Sequence, residues 1–299
     1  MNGFLNILKP PGMTSAAVVA RIRRLTGEKR VGHAGTLDPE AAGVLPVMVG
    51  KAARLFDYLV DKEKEYVAEA AFGVSTDTQD ATGKVLERSE NYPSFELVKE
   101  KLHLLEGDIM QRPGIFSAIK KDGEPLYKLA RKGETVEIPA RPVHVEKIVP
   151  VCEMKDHGVL MTVRCGRGTY IRSICDDLGQ LCGCPAHMRF LLRSTSGVFD
   201  LGTAMTLEEA AAYAEAGTLG EHLLAMDMPL QHMPRTGIRD WAEPMVRSGA
   251  KLPPRAAVED TVPGTVTRIY LKGRFWGIAE RSETEYVWRA QIAPEEETV

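Results

Sequence analysis

Residues 31–50 read VGHAGTLDPEAAGVLPVMVG, with glycines at 32, 35, 43 and 50 and Asp38 near the middle. Glycine opens backbone conformations and close approaches that a Cβ forbids. A carboxylate, the His33 imidazole and the Thr36 hydroxyl lie within six positions on such backbone, which makes a platform for a polar site. The local pattern has a second reading. Asp38 followed by Pro39 is also how a helix starts, with Asp as N-cap and Pro as first helical residue. On the local pattern alone the helix reading leads. Two further residues bear on the choice. Tyr66 falls near the start of a strand-like segment, where a side chain can reach a cleft; the alternative is a core tyrosine. Arg172 falls near a helix start, where the dipole disfavours a cation. It implies either a carboxylate partner from elsewhere or an i,i+4 pair with Asp176. The chain carries no P-loop, no dinucleotide fingerprint and no G-x-S-x-G. No second acid is placed convincingly for paired-carboxylate glycoside chemistry. A reaction driven by one carboxylate, without metal or cofactor, is what remains.

The elements that would position these groups follow from periodicity. Residues 4–8 form a short apolar strand that ends at the turn Lys9-Pro10-Pro11-Gly12. Ser15 is expected to cap a helix with Val18, Ile22 and Leu25 on its buried face and Gly27 at its end. Residues 51–60 predict a helix with Ala53, Phe56 and Val60 together. Residues 66–74 alternate as a strand carrying Tyr66, Ala68, Ala70 and Phe72 on one side. Ser94–Leu105 predicts an amphipathic helix with Val98, Leu102 and Leu105 inward. The segment 112–143 is basic and turn-rich, with a short helix expected over 125–132. Its Lys120, Lys121, Lys128, Arg131 and Lys132 could follow a phosphate backbone or simply solvate a loop. Strands are expected at 143–151 and 159–165, then a helix with Ile171, Ile174, Cys175 and Leu178 inward and Arg172 off that stripe. Thr206-Leu-Glu-Glu209 is a capping box. Beyond a boundary near 230–236 the chain alternates in strand fashion about a Lys-Gly hairpin turn, with Trp276 and Trp288 expected in the core.

With 299 residues, 44% hydrophobic and 26% charged, the chain has room for one large domain or a large plus a small one. Its net charge of −3 excludes a general polycation, so any nucleic-acid site must be a local patch. Residues 1–60 offer one, with eight Lys/Arg against Glu28, Asp38, Glu40 and Asp57. Five cysteines without framework spacing point to a reducing compartment, and Cys182-Gly-Cys184 lacks the gap of a zinc knuckle. Apolar runs are short of a membrane span and the N-terminus is unlike a secretory signal. A cytoplasmic protein is expected.

Several separated stretches, in order, resemble the bacterial tRNA pseudouridine synthase B (TruB) family: ILKPPGMTS, GHAGTLDPEAAGVLPV, KEYVAEAAFGVSTDTQD, RPV, GRGTYIRSICDDLG and FLLRSTSGVF. The resemblance covers most of residues 3–200. It implies a mixed α/β (α+β) catalytic domain with a central antiparallel sheet over 1–232. Residues 112–143 would be an RNA-binding insertion, and 233–299 a small β-rich domain similar to a PUA domain. It implies isomerisation of uridine 55 in the tRNA T-arm, with no cofactor, no metal, no obligate protein partner and a monomeric enzyme. Asp38 resembles the catalytic aspartate, Tyr66 the tyrosine that stacks on the target base, and Arg172 the arginine that keeps the aspartate charged in a drier pocket. His33 resembles the histidine that fills the space of the everted base, and Leu191 a leucine of the base pocket. Lys9, Lys64, Tyr170, Lys120 and Arg131 are expected at the RNA. Two departures from the family pattern are Phe116, where tyrosine is usual, and Leu192, where an arginine is usual. Two other activities share these features: a guide-RNA-dependent synthase subunit, and a tRNA-folding helper whose isomerase activity is secondary.

Overall fold

The computed structural model describes residues 1–59, 63–114 and 138–293, with the backbone of 120–121 and 124–125 between. The strands are β1 (Gly3–Lys9), β2 (Val31–His33), β3 (Ala42–Val49), β4 (Lys64–Phe72), β5 (Val74–Thr76), β6 (Val85–Arg88), β7 (Gly107–Gln111), β8 (Lys120–Lys121), β9 (Glu124–Pro125), β10 (Arg141–Met154), β11 (Gly158–Cys165), β12 (Ala186–Ser196) and β13 (Phe199–Asp200). A nine-stranded sheet runs β1-β3-β12-β4-β11-β10-β7, with β2 added to β3 and β13 to β12. Its pairs are antiparallel except one. β12 meets β3 in parallel at Leu192↔Ala42 and Arg193↔Gly43. That junction needs glycine: Gly43 has φ +115°, and a Cβ there would lie 2.2 Å from the Arg193 carbonyl oxygen.

Helices cover this sheet. The first, α1 (Ser15–Thr26), ends at Gly27 in the left-handed region. Its cap is Thr14, whose hydroxyl accepts from Ala17 N; Ser15 is instead the first helical residue and is buried. Val18 and Ile22 pack on Leu5, Ile7, Leu45 and Val47 of β1 and β3. Residues 50–59 do not form one regular helix. A 3₁₀ turn, Gly50–Leu55, leads into α2 (Phe56–Leu59), and the tighter winding turns Ala52, Leu55 and Leu59 inward while Phe56 is exposed. The expected face of Ala53 and Phe56 is therefore corrected, and Val60 lies outside the described residues. Two helices, α3 (Phe95–Leu102) and α4 (Ile171–Cys182), cover the other half. Val98, Leu102, Ile174 and Leu178 meet Ala68, Ala70, Met161 and Val163 there. Of the helix expected over 125–132, Pro125 is in β9 and the rest lies outside the described residues.

A second sheet follows: β14 (Arg235–Ile238), β15 (Val266–Leu271), β16 (Arg274–Arg281) and β17 (Tyr286–Gln291), in that order. The β15–β16 turn places Lys272 and Gly273 at φ 50° and 76°, which suits a two-residue hairpin. Ile278, Ala290 and Ile292 of this part share a buried cluster with Phe4, Val44 and Leu55. β1 is thus covered on both faces, by α1 and by the second sheet, and nearly all of it is buried.

Candidate active site

Asp38 stands in the connection between β2 and β3. The helix that Asp38-Pro39 could start does not form; residues 38–41 make a turn in which Ala41 N donates to Asp38 O at 3.1 Å. Side chains remote in sequence take up the backbone groups of this loop. Ser15 Oγ donates to Leu37 O at 3.0 Å and accepts from Leu37 N at 2.9 Å. Lys9 Nζ donates to the carbonyls of Pro10, Pro39 and Ala41 at 2.8, 2.8 and 2.7 Å. Asp38 is thereby fixed from both sides. The same contacts correct the expectation that Lys9 meets RNA: it is fully buried, with all three ammonium protons directed at backbone. Burial pulls its pKa down to about 8, against the pull of Glu40 and Asp38.

Arg172 is the second residue of α4. Gln111, wholly buried on β7, secures the helix start by donating to Tyr170 O at 3.0 Å and accepting from Tyr170 N at 2.7 Å. Arg172 Nε lies 3.0 Å from Asp38 Oδ2, and Nη2 donates to Asp38 Oδ1 at 3.4 Å. Nη1 donates to Thr78 O at 3.1 Å and lies 3.8 Å from Asp80 Oδ2. The cation at the helix start is thus answered by carboxylates from other elements, not by Asp176. That carboxylate accepts from Gln79 and Gln180.

Tyr66, third residue of β4, faces Asp38 from the sheet. On β12, Leu191 and Arg193 stand opposite Ala68 and Tyr66. Burial raises the Tyr66 phenol, and the positive charge of the Arg193 guanidinium partly offsets that. His33 is lowered by burial first and by Arg193 second, so its imidazole is neutral near pH 7. These groups line one cleft of about 320 Å3, with the His33–Asp38 loop on one wall and residues 166–172 on the other. Tyr66, Leu191 and Arg193 lie between them, Arg167 and Tyr170 belong to the second wall, and Phe56 and the buried Lys64 complete the lining. Tyr170 is half-buried with the Arg141 guanidinium 4.9 Å from its ring centroid. Lys120 is described only as backbone, paired with Pro125, and Arg131 and Phe116 lie outside the described residues. Leu192 is half-buried at the β12–β3 junction. The sequence reading missed Arg193, although its two-residue spacing from Leu191 places both on one strand face. It also missed Thr78 and Asp80, which hold the far side of Arg172.

Residues 23–171 match the family model for the N-terminal domain of TruB family pseudouridylate synthases, and residues 172–231 that for the tRNA pseudouridylate synthase B C-terminal domain. The chain belongs to the TruB family. A tRNA pseudouridine synthase B of Alkaliphilus oremlandii (strain OhILAs) is 40% identical over 280 residues, 93% of this chain and 92% of the relative. One from Bacillus subtilis (strain 168) is 42% identical over 258 residues, 84% of each. Among solved structures, an H/ACA RNP bound to a substrate RNA containing 2′-deoxyuridine contains a chain that is 25% identical. It superposes with TM-score 0.74 over 98% of this TruB-family chain and 86% of that one. A Cbf5-Nop10-Gar1 complex gives 27% identity and TM-score 0.71, over 98% and 84% of the two chains. Among the described residues, no helix is long and apolar enough to cross a membrane.

Proposed function

We propose that this chain isomerises uridine 55 in the T-arm of tRNA to pseudouridine, with Asp38 as the essential carboxylate. The observation that carries the reading is the Asp38–Arg172 pair, joined from a loop and a helix 134 residues apart, at a cleft floored by Tyr66 and Leu191. The reaction breaks the C1′–N1 bond, turns the uracil and joins C5 to C1′. A base in a stacked helix is out of reach of such a cleft, so it must be extruded, at roughly a few kcal/mol. Tyr66 and Leu191 give it an aromatic and apolar seat, and His33, neutral and lowered by burial, fits the space it leaves. Tyr66 is placed to move the C5 proton. Arg172 meets both oxygens of Asp38, through an Nε–Oδ2 ion pair and an Nη2 hydrogen bond to Oδ1. Lys64, Arg167 and Tyr170 supply charge and stacking for RNA, as Lys120 and Arg131 would from the 112–143 segment.

The curated relatives are named tRNA pseudouridine synthase B at 40–42% identity, against 25–27% for the RNP chains, which favours a stand-alone enzyme over a guide-dependent subunit. Residues 233–299 form the PUA-like unit in this reading and add grip on the RNA; the family's C-terminal model ends at 231 and β14 opens at Arg235. The test is to incubate the protein with unmodified tRNA and map pseudouridine. One site in the T-loop is expected. The Asp38→Asn protein should bind tRNA and form none; product at the parental rate would end the assignment of Asp38, and tRNA bound by the parent without pseudouridine would leave the RNA-folding helper.

A further inference from the structure

Arg193 is 1% exposed and lines the cleft, yet none of its described partners is a carboxylate. Nε donates to Val44 O at 2.8 Å and Nη2 to Gly35 O at 3.1 Å. Tyr66 is the residue directly opposite Arg193 in the β12–β4 register, both line the cleft, and the positive charge of the guanidinium acts on the phenol. A buried cation without a carboxylate partner is costly, and an apolar side chain would usually serve the fold better. What the guanidinium does at this place is tie the Asp38 loop, through Gly35, to β3, through Val44, from the strand position opposite Tyr66. It also constrains Tyr66. Arginine has only donors, so it can meet the phenolic oxygen only as an acceptor and leaves the phenol's own hydrogen to other partners. Tyr66 lines the cleft, where the base would lie.

We propose that Arg193 is a positioning residue for the isomerisation: it fixes the orientation of the Tyr66 hydroxyl and holds it in register with the loop that carries Asp38. The inference rests on the reading that Tyr66 meets the uracil. It gives Arg193 a role separate from that of Arg172, which holds the carboxylate itself.

The test is a double-mutant cycle in single-turnover pseudouridine formation with enzyme in excess, read over hours so that slow variants are measurable. Tyr66→Phe alone should turn over much more slowly; if it turns over like the parent, the reading of Tyr66 fails, whatever Arg193 does. Arg193→Met should lower the saturating rate by about a hundredfold, and Arg193→Lys, which keeps the charge but reaches fewer partners, by about tenfold. The dissociation constant for tRNA should stay within about threefold, since the side chain lies below the surface. In the Tyr66→Phe background, Arg193→Lys should cost less than about twofold, because the hydroxyl it acts on is gone. If the two losses multiply instead, or if Arg193→Lys lowers affinity and leaves the saturating rate unchanged, the inference is overturned. Should Arg193→Met fail to fold, the lysine variant and its cycle decide the matter alone.

Discussion

Replacing Arg172 by lysine keeps the charge and removes the fork. The arginine uses Nε and Nη2 on the two oxygens of Asp38, at 3.0 and 3.4 Å, and Nη1 on Thr78 O at 3.1 Å. Lysine has a single nitrogen and cannot reproduce the two-point contact while also reaching Thr78. One charge-assisted hydrogen bond is lost, a change of about 1.5–3 kcal/mol. The Asp38 side chain is 36% exposed, so water compensates in part and the lower half of that range applies. About 2 kcal/mol corresponds to about thirtyfold in the saturating rate. The arginine side chain is only 7% exposed, so it contributes little to the RNA-facing surface and tRNA affinity should change less than about threefold. Single-turnover rates at saturating enzyme, beside a direct tRNA-binding titration, separate the two. A collapse of affinity with the saturating rate intact would refute the assignment of Arg172 to Asp38 and place it on the RNA.

Two other residues give independent checks. Lys9→Met leaves three backbone carbonyls without their donor, so a loss of about 2–5 kcal/mol and a fall in Tm of about 5–15 °C are expected. Affinity for tRNA below that Tm should be nearly unchanged; a tenfold loss of affinity at constant Tm would restore Lys9 to the RNA. Asp177, on α4, is raised to about 6, by burial first and by Asp176 second. Its folded-state value exceeds the unfolded one, so the folded chain binds the extra proton between about pH 4 and 6 and stability falls as pH rises through that window. Asp177→Asn should therefore raise Tm at pH 7.5, by an amount of order 1–3 kcal/mol in stability, and make no difference at pH 4. A variant that melts lower at pH 7.5 would show that the charged carboxylate is used.

What the sequence disclosed and what it hid divide along physical lines. Period-two alternation placed Tyr66, Ala68, Ala70 and Phe72 on one face of β4, and they share a core cluster with Ile171, Ile174, Cys175 and Leu178 of α4; Arg172 is outside that apolar stripe as expected, yet buried, against Asp38. Such patterns report which side of an element faces the core, and burial alone enforces them. Asp38-Pro39 could not be decided that way. A helix start and a turn offer the same local residues, and the turn is chosen by Ser15 and Lys9, which lie outside the stretch. Lys9 was misplaced for a related reason. A lysine after an apolar strand normally ends at solvent, but β1 is covered on both faces, and the buried ammonium finds its acceptors 30 and 32 residues away. Arg172 and Asp38 are 134 residues apart and Arg193 and Gly35 158 apart. The cleft is therefore a set of long-range polar ties laid across a sheet whose apolar pattern is local. Loosening one tie should impair turnover before it unfolds the chain, because the hydrophobic clusters beneath are built from different residues.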